Sequence, residues 1–244
     1  MSYAAVGNSW RHPAVFSASR EAALVREYLA GDEPGVFVEV GANDPTHHSA
    51  THHLEEIGWT GLLVEPLPDC VRALREARKA IVVEAACGAP WQAGRMASLH
   101  VAGPHSSLDP NLAEPRSKTG VFIEVMVCTL DNALDSAEIA DIDLLAVDTE
   151  GTEIDVLEGI NLNARTPSLI LLEDHVRDWS KCRYMSGRGY RLVRRTGFNS
   201  WYVPADAPFP IGVWGRVQLF LKYVLDMPFK RLRYWRHKRE TVRP

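Results

Sequence analysis

The chain has 244 residues, 46% hydrophobic and 24% charged, with a formal net charge of −4, which fits one globular α/β domain with additions. Cys70, Cys87, Cys128 and Cys182 lie far apart with no C-x-x-C pair, which excludes a zinc ribbon or a disulfide scaffold and points to a reducing, cytoplasmic setting. No run approaches the roughly 20 apolar residues of a membrane span, and residues 1–20, with Arg11, His12 and Arg20, do not read as a signal peptide.

Residues 1–34 are expected to form a tail and a cover helix, the helix capped by Ser19 and closed at Gly31. Val36 to Val40 is a β-branched run ended by Gly41, which reads as a buried parallel strand. His52 to Ile57 carries helical spacing and stops at Gly58; Leu62 to Val64 is a second strand, closed by Glu65. Such a β-α-β unit faces a ligand with its turn, and an acid at the second strand end accepts hydrogen bonds from ribose hydroxyls. A dinucleotide fingerprint has three glycines for a pyrophosphate. Here Gly41 stands alone beside Glu39 and Asp44, which suits a cationic or zwitterionic ligand such as S-adenosylmethionine; a tight turn in another α/β fold is the alternative.

Asp69 to Lys79 reads as a helix and Ile81 to Val83 as a third strand, ending near Ala86, Cys87 and Gly88. Met96 to Ala102 and Ile123 to Leu130 read as strands around a polar loop, 103–120, which holds His105, Ser106, Ser107 and Asp109. A helix over Leu130 to Ile139 leads to a strand, Leu144 to Val147, that ends in Asp148, Thr149, Glu150 and Gly151. Thr152 to Glu158 is helical, and Leu169 to Leu172 is a strand ending in Glu173, Asp174 and His175. Tyr190 to Arg194 and Ser200 to Val203 form a closing antiparallel pair. The alternation predicts a doubly wound, mostly parallel, seven-stranded-type sheet over residues 35–204, with helices on both faces. Ligands on such sheets sit beyond the carboxyl ends of the strands. Glu39 with Asn43, Glu65, Asp148 with Glu150, and Glu173 with Asp174 and His175 should therefore converge on one cleft.

The runs V-E-V-G-A-N-D, G-W-T-G-L-L-V-E-P, A-A-C-G, T-L-D-N and I-D-L-L-A-V-D-T-E-G-T-E-I-D-V-L-E-G together resemble the FkbM family of S-adenosylmethionine-dependent methyltransferases, over about residues 36 to 204. The resemblance implies a class I, Rossmann-like fold and O-methylation of a sugar, glycan precursor or natural-product hydroxyl. It further implies that Glu39, Gly41 and Asn43 hold the methionine end of the cofactor, Glu65 the ribose, and Ala86 with Cys87 the adenine. Where family members have a small, apolar or aromatic helix start, this chain has His47, His48, His52 and His53. His48 and His52 would share a helix face and form half of a metal site, or simply decorate an exposed helix end.

Methyl transfer from a sulfonium is an in-line displacement that needs an activated acceptor oxygen. Asp148, Glu173 and Asp174 at neighbouring strand ends resemble the oxygen ligands of a hard divalent ion, Mg or Mn. His175 is the candidate general base, its ordinary pKa lying near neutrality. Alternatively Asp148 and Glu150 cap the helix at Thr152, and Glu173 binds acceptor or cofactor amine without a metal. The rival activities are a nucleotide-sugar or nicotinamide-dependent oxidoreductase, against which the missing glycines speak, and a binding module without catalysis.

Residues 205–244 read as a basic amphipathic extension. From Ile211 onward nine basic residues face two acids, a net +7, while residues 1–210 carry −11. Val213, Trp214, Val217, Phe220, Leu221 and Val224 recur at helical spacing up to Pro228. The stretch 211–244 is expected to meet a membrane surface, or to pack on the body or a second copy. Nucleic acid is disfavoured by the acidic body.

Overall fold

The computed structural model describes residues 18–31, 33–108, 120–176, 178–209 and 211–232. The tail expected over 1–17, Asp109, and the basic residues 233–244 lie outside them.

The chain opens with α1 (Ala18–Tyr28), β1 (Val36–Val40), α2 (His52–Glu55), β2 (Thr60–Glu65), α3 (Pro68–Ala77) and β3 (Ile81–Glu84). Next come β4 (Ala86–Cys87), β5 (Met96–His100), β6 (Phe122–Cys128), α4 (Leu130–Ser136) and β7 (Leu144–Val147). Then follow α5 (Glu153–Glu158), α6 (Leu162–Arg165), β8 (Leu169–Glu173), α7 (Ser180–Ser186), β9 (Tyr190–Thr196) and β10 (Asn199–Pro204). α8 (Val213–Phe220) continues through a π-helical turn, Leu221–Leu225, and helical backbone over 226–232.

Seven strands make one sheet in the order β3-β2-β1-β7-β8-β10-β9. All neighbours run parallel except at β10, which is antiparallel to β8 and β9. The order winds outward both ways from β1 and β7, so the switch point lies between those two strands. Period-two alternation divides the buried side chains between the two faces. Val38, Val40, Leu145 and Ile170 face Leu134, Val156 and Met185 of α4, α5 and α7. Phe37, Leu63, Leu144 and Leu171 face Val25, Leu54 and Leu74 of α1, α2 and α3. The expected doubly wound, mostly parallel sheet is thus what the chain builds.

Three features depart from expectation. The strand expected through Leu130 stops at Cys128, because Thr129 takes extended backbone and its hydroxyl caps α4 by accepting from the Asn132 N–H at 3.1 Å. β6 does not join the main sheet; it lies between β4 and β5 in a separate three-stranded sheet. α6 and α7, of four and seven residues, carry too little periodic pattern to be read.

The start of the C-terminal extension packs on the body. Tyr223 and Met227 are buried against Val176, with Leu192 and Leu219 alongside. The Tyr223 hydroxyl donates to the Asp174 carboxylate at 2.8 Å and lies 2.5 Å from the Ser200 hydroxyl.

One close approach sets the switch point. Gly41 has φ +82°, and a Cβ there would lie 1.8 Å from the Asp148 carbonyl oxygen. Gly94 shares the left-handed conformation (φ +77°) but has open space around it. Gly94→Ala should cost about 1 kcal/mol, the left-handed strain alone. Gly41→Ala should cost roughly 3 kcal/mol or more, since backbone must also shift. Urea unfolding of both variants measures the difference; equal losses would contradict the close-approach account.

Candidate functional site

The carboxyl ends of β1, β2 and β7 open into a cleft enclosing about 540 Å³ of empty space, continuous with solvent. The turn after β1 supplies Gly41 and Asn43; the end of β2 supplies Glu65; β4 supplies Ala86 and Cys87; the end of β7 supplies Asp148. Of the six residues expected to bind cofactor, five border this one space.

Glu65 is 3% exposed, yet each carboxylate oxygen is held: Oε2 accepts from the Asn43 N–H and Oε1 from the Leu67 N–H, both at 2.9 Å. Burial raises its pKa, and those two hydrogen bonds oppose the rise. Asn43 takes φ +45°, turning its backbone N–H onto Glu65, while its side-chain oxygen accepts from the Cys70 thiol at 3.5 Å. A carboxylate oxygen offers more than one lone pair, so the acid retains acceptor capacity. Ala86 and Cys87 are buried. The Cys87 thiol is pushed well above its ordinary value by contact with Cys128 and by burial, so this wall is neutral and apolar.

Glu39, the sixth, does not border the cleft. It lies within β1 rather than at its tip, and its carboxylate accepts from the Ser49 hydroxyl and the Ala50 N–H at 2.8 Å and from the Thr51 hydroxyl at 2.5 Å. Buried Arg78 closes the cluster from behind, donating to Thr51 Oγ1 at 3.1 Å, Ser49 Oγ at 3.2 Å and Glu55 Oε2 at 2.8 Å. Glu39 thus fixes the loop that forms one wall. His48 sits in that loop at φ +66°, ahead of α2, so it does not share a helix with His52.

Acids crowd behind Asp148 and Glu150; those two border the cleft, whereas Glu153, Glu173 and His175 do not line it. The carboxylates of Asp148, Glu153 and Glu173 lie within 4.8 Å of one another, and so do ligand atoms of Glu150, Glu173 and His175. Those are the groups close enough to hold an ion among the described residues, and His48 and His52 belong to neither. Glu153 is fully buried: Oε1 accepts from the Gly151 N–H at 2.7 Å, and Oε2 lies 2.7 Å from the Lys181 ammonium. Lys181 also donates to the Glu173 carbonyl at 2.6 Å. His175 Nε2 lies 3.1 Å from Glu173 Oε1.

Desolvation and the charges of Glu173, Glu150 and Glu153 raise Asp148 well above the ordinary carboxylate range. Its side chain is open to the cleft, so the like charges are the part of that cause that persists when water enters. Burial also works against the charge of Glu173, but His175 and the Lys181 ammonium outweigh it and hold that carboxylate low. The two neighbours are therefore pushed in opposite directions, Asp148 up and Glu173 down.

Asp174, expected beside Glu173 as a metal ligand, is committed elsewhere. Oδ1 accepts from the Val176 N–H at 2.7 Å and Oδ2 from Tyr223 at 2.8 Å. Successive residues of extended backbone point to opposite sides, so the two neighbours part and the expected set of Asp148, Glu173 and Asp174 is not assembled.

The polar loop after β5, whose length marks it as functional or mobile, closes the cleft. Gly103, Pro104, Ser106 and Leu108 line it. His105 Nδ1 lies 2.8 Å from Glu150 Oε1, and the Ser107 hydroxyl donates to the Glu150 carbonyl at 3.0 Å. Burial raises Glu150, and the His105 contact opposes this.

The family model for the FkbM methyltransferase domain matches residues 39–192. No curated protein matches the chain. A crystal structure of the methyltransferase FkbM from Methylobacillus flagellatus aligns with a TM-score of 0.46 and 15% identity, over 69% of this chain and 43% of that one. This chain thus spans less than half the length of that protein. A Pyrococcus horikoshii protein proposed to be an RNA methyltransferase aligns with a TM-score of 0.40 and 13% identity, over 77% of this chain and 83% of that one. Both likenesses are too distant to carry an assignment.

The raised Asp148 gives a signed pH effect. Its ordinary value is 3.8 and folding raises it, so its contribution is full below that value and is lost as pH rises through the folded pKa. Asp148→Asn, neutral throughout, should match the wild type in urea near pH 3.8 and exceed it in mildly alkaline buffer. A gain that does not grow with pH would contradict the raised Asp148.

Proposed function

Because this chain belongs to the FkbM methyltransferase family, we propose that its cleft binds S-adenosylmethionine and passes the methyl group to a hydroxyl of a sugar, glycan precursor or related natural product. The observation that carries this reading is Glu65: a buried carboxylate at the second strand end, held by two backbone N–H groups and bordering the cleft. Its spare lone pairs suit the paired hydroxyls of a ribose. Ala86 and Cys87, with Leu99 and Leu108 beside them, suit an adenine ring. The single-glycine turn at Gly41 and the carboxylates crowded around Asp148 suit a sulfonium and an ammonium rather than a pyrophosphate. An oxidoreductase using a nicotinamide dinucleotide would lack its phosphate cradle here.

In the transfer, the carbon–sulfur bond breaks as the acceptor oxygen bonds to the methyl carbon, leaving S-adenosylhomocysteine. The acceptor's proton goes to His175, which the Glu173 carboxylate orients from 3.1 Å. Lys181 between Glu153 and Glu173 already supplies a positive charge there, which favours a reading without a divalent ion. Turnover should therefore survive chelation, and turnover that needs added Mg or Mn would restore the metal reading.

Titration calorimetry with S-adenosylhomocysteine should give saturable binding. Glu65→Gln should weaken it about ten- to a hundredfold, the cost of losing a hydrogen bond to a charged acceptor. Binding of a nicotinamide dinucleotide in its place would overturn the assignment.

A further inference from the structure

α8 and its continuation to residue 232 are apolar on two opposite sides. One side is buried: Tyr223 and Met227, four apart, pack on Val176, and the Trp179 ring lies 5.4 Å from that of Tyr223. The other side meets solvent. Phe220, Leu221, Val224, Leu225, Phe229 and Leu232 are between 42% and 69% exposed, and their spacing keeps them along one stripe. A row of large exposed apolar side chains on one helix is uncommon on a free surface and marks contact with something apolar.

Charge identifies the occupant. Arg216, Lys222, Lys230 and Arg231 lie on this same segment, and from Ile211 onward the chain carries a net +7 while the remainder carries −11. A symmetric dimer through this face would set one +7 segment against another. An apolar stripe among cations matches an anionic bilayer, where side chains enter the acyl boundary and ammonium and guanidinium groups meet phosphate. No helix among the described residues is long and apolar enough to cross a membrane, so the contact is peripheral.

We propose that the outward face of α8 and its continuation docks this protein onto an anionic lipid surface. The acidic body is repelled by the same surface, which orients the protein with this helix down. Asp174, the anchor for Tyr223, directly follows Glu173 in the chain, so the docked helix lies next to the strand end that carries the acid–histidine pair. An acceptor held at a membrane would thereby be presented to the cleft mouth. The docking itself does not depend on the assigned reaction.

The test is flotation of the full chain with vesicles of phosphatidylcholine alone or mixed with phosphatidylserine. The protein should float with the mixed vesicles at low salt, leave them at high salt, and ignore the neutral ones. A variant carrying Phe220→Asp, Val224→Asp and Phe229→Asp should lose at least about tenfold in vesicle affinity, while its melting temperature and S-adenosylhomocysteine binding stay unchanged. Lys222→Glu with Arg231→Glu should lose a similar factor. Failure of the intact chain to float would overturn the proposal, and so would unchanged flotation of the apolar variant. A dimer in equilibrium sedimentation that the apolar variant dissolves would overturn it too, with a second copy as the occupant.

Discussion

The carbonyl oxygen of Asp148 lies where a side chain at residue 41 would begin. That contact brings the ends of β1 and β7 together at the point where the sheet reverses its winding, and the cleft exists because the two strands end there and part above it. The hydrogen bonds from the Gly41 and Ala42 N–H groups to the Val64 carbonyl tie β2 into the same corner. Glu65 and Asp148, 83 positions apart in the sequence, reach one space through this arrangement. A larger residue at position 41 would move both.

Six carboxylates gather at or below this corner, Glu150 among them against His105. Glu39, Glu65 and Glu153 are buried and spend their charge on local donors: hydroxyls and a backbone N–H, two backbone N–H groups, and a backbone N–H with an ammonium. These three hold loops. Burial and like charges raise Asp148, whereas His175 and Lys181 hold Glu173 low against burial.

Much of the fold was legible because buried parallel strands announce themselves as short β-branched runs with glycine or acid at their ends. Val36 to Val40 and Leu144 to Val147 were read with the bounds the structure has. The resemblance placed Gly41, Asn43, Glu65, Ala86 and Cys87 on a cofactor, and all five border one cleft. What was not legible depends on direction rather than position. Treating every acid near a strand end as facing the cleft assigned Glu39 and Asp174 to it, whereas one lies inside its strand, beneath the loop, and the other turns to Tyr223. The separate sheet of β4, β5 and β6 escaped notice because its pairing joins residues about 40 apart, Cys87 with Cys128, and no local period reports such a partner. The His105–Glu150 contact was hidden for the same reason.

The central claim is that the space between Gly41, Glu65 and Asp148 is the cofactor site of a methyltransferase. A crystal structure of the chain grown with S-adenosylhomocysteine tests it most directly. The account predicts density in that cleft, with the ribose hydroxyls on the Glu65 carboxylate, the adenine against Ala86 and Cys87, and the sulfur facing the side of Asp148 and His175. Density with the ribose away from Glu65, or ligand bound elsewhere with this cleft empty, would contradict it.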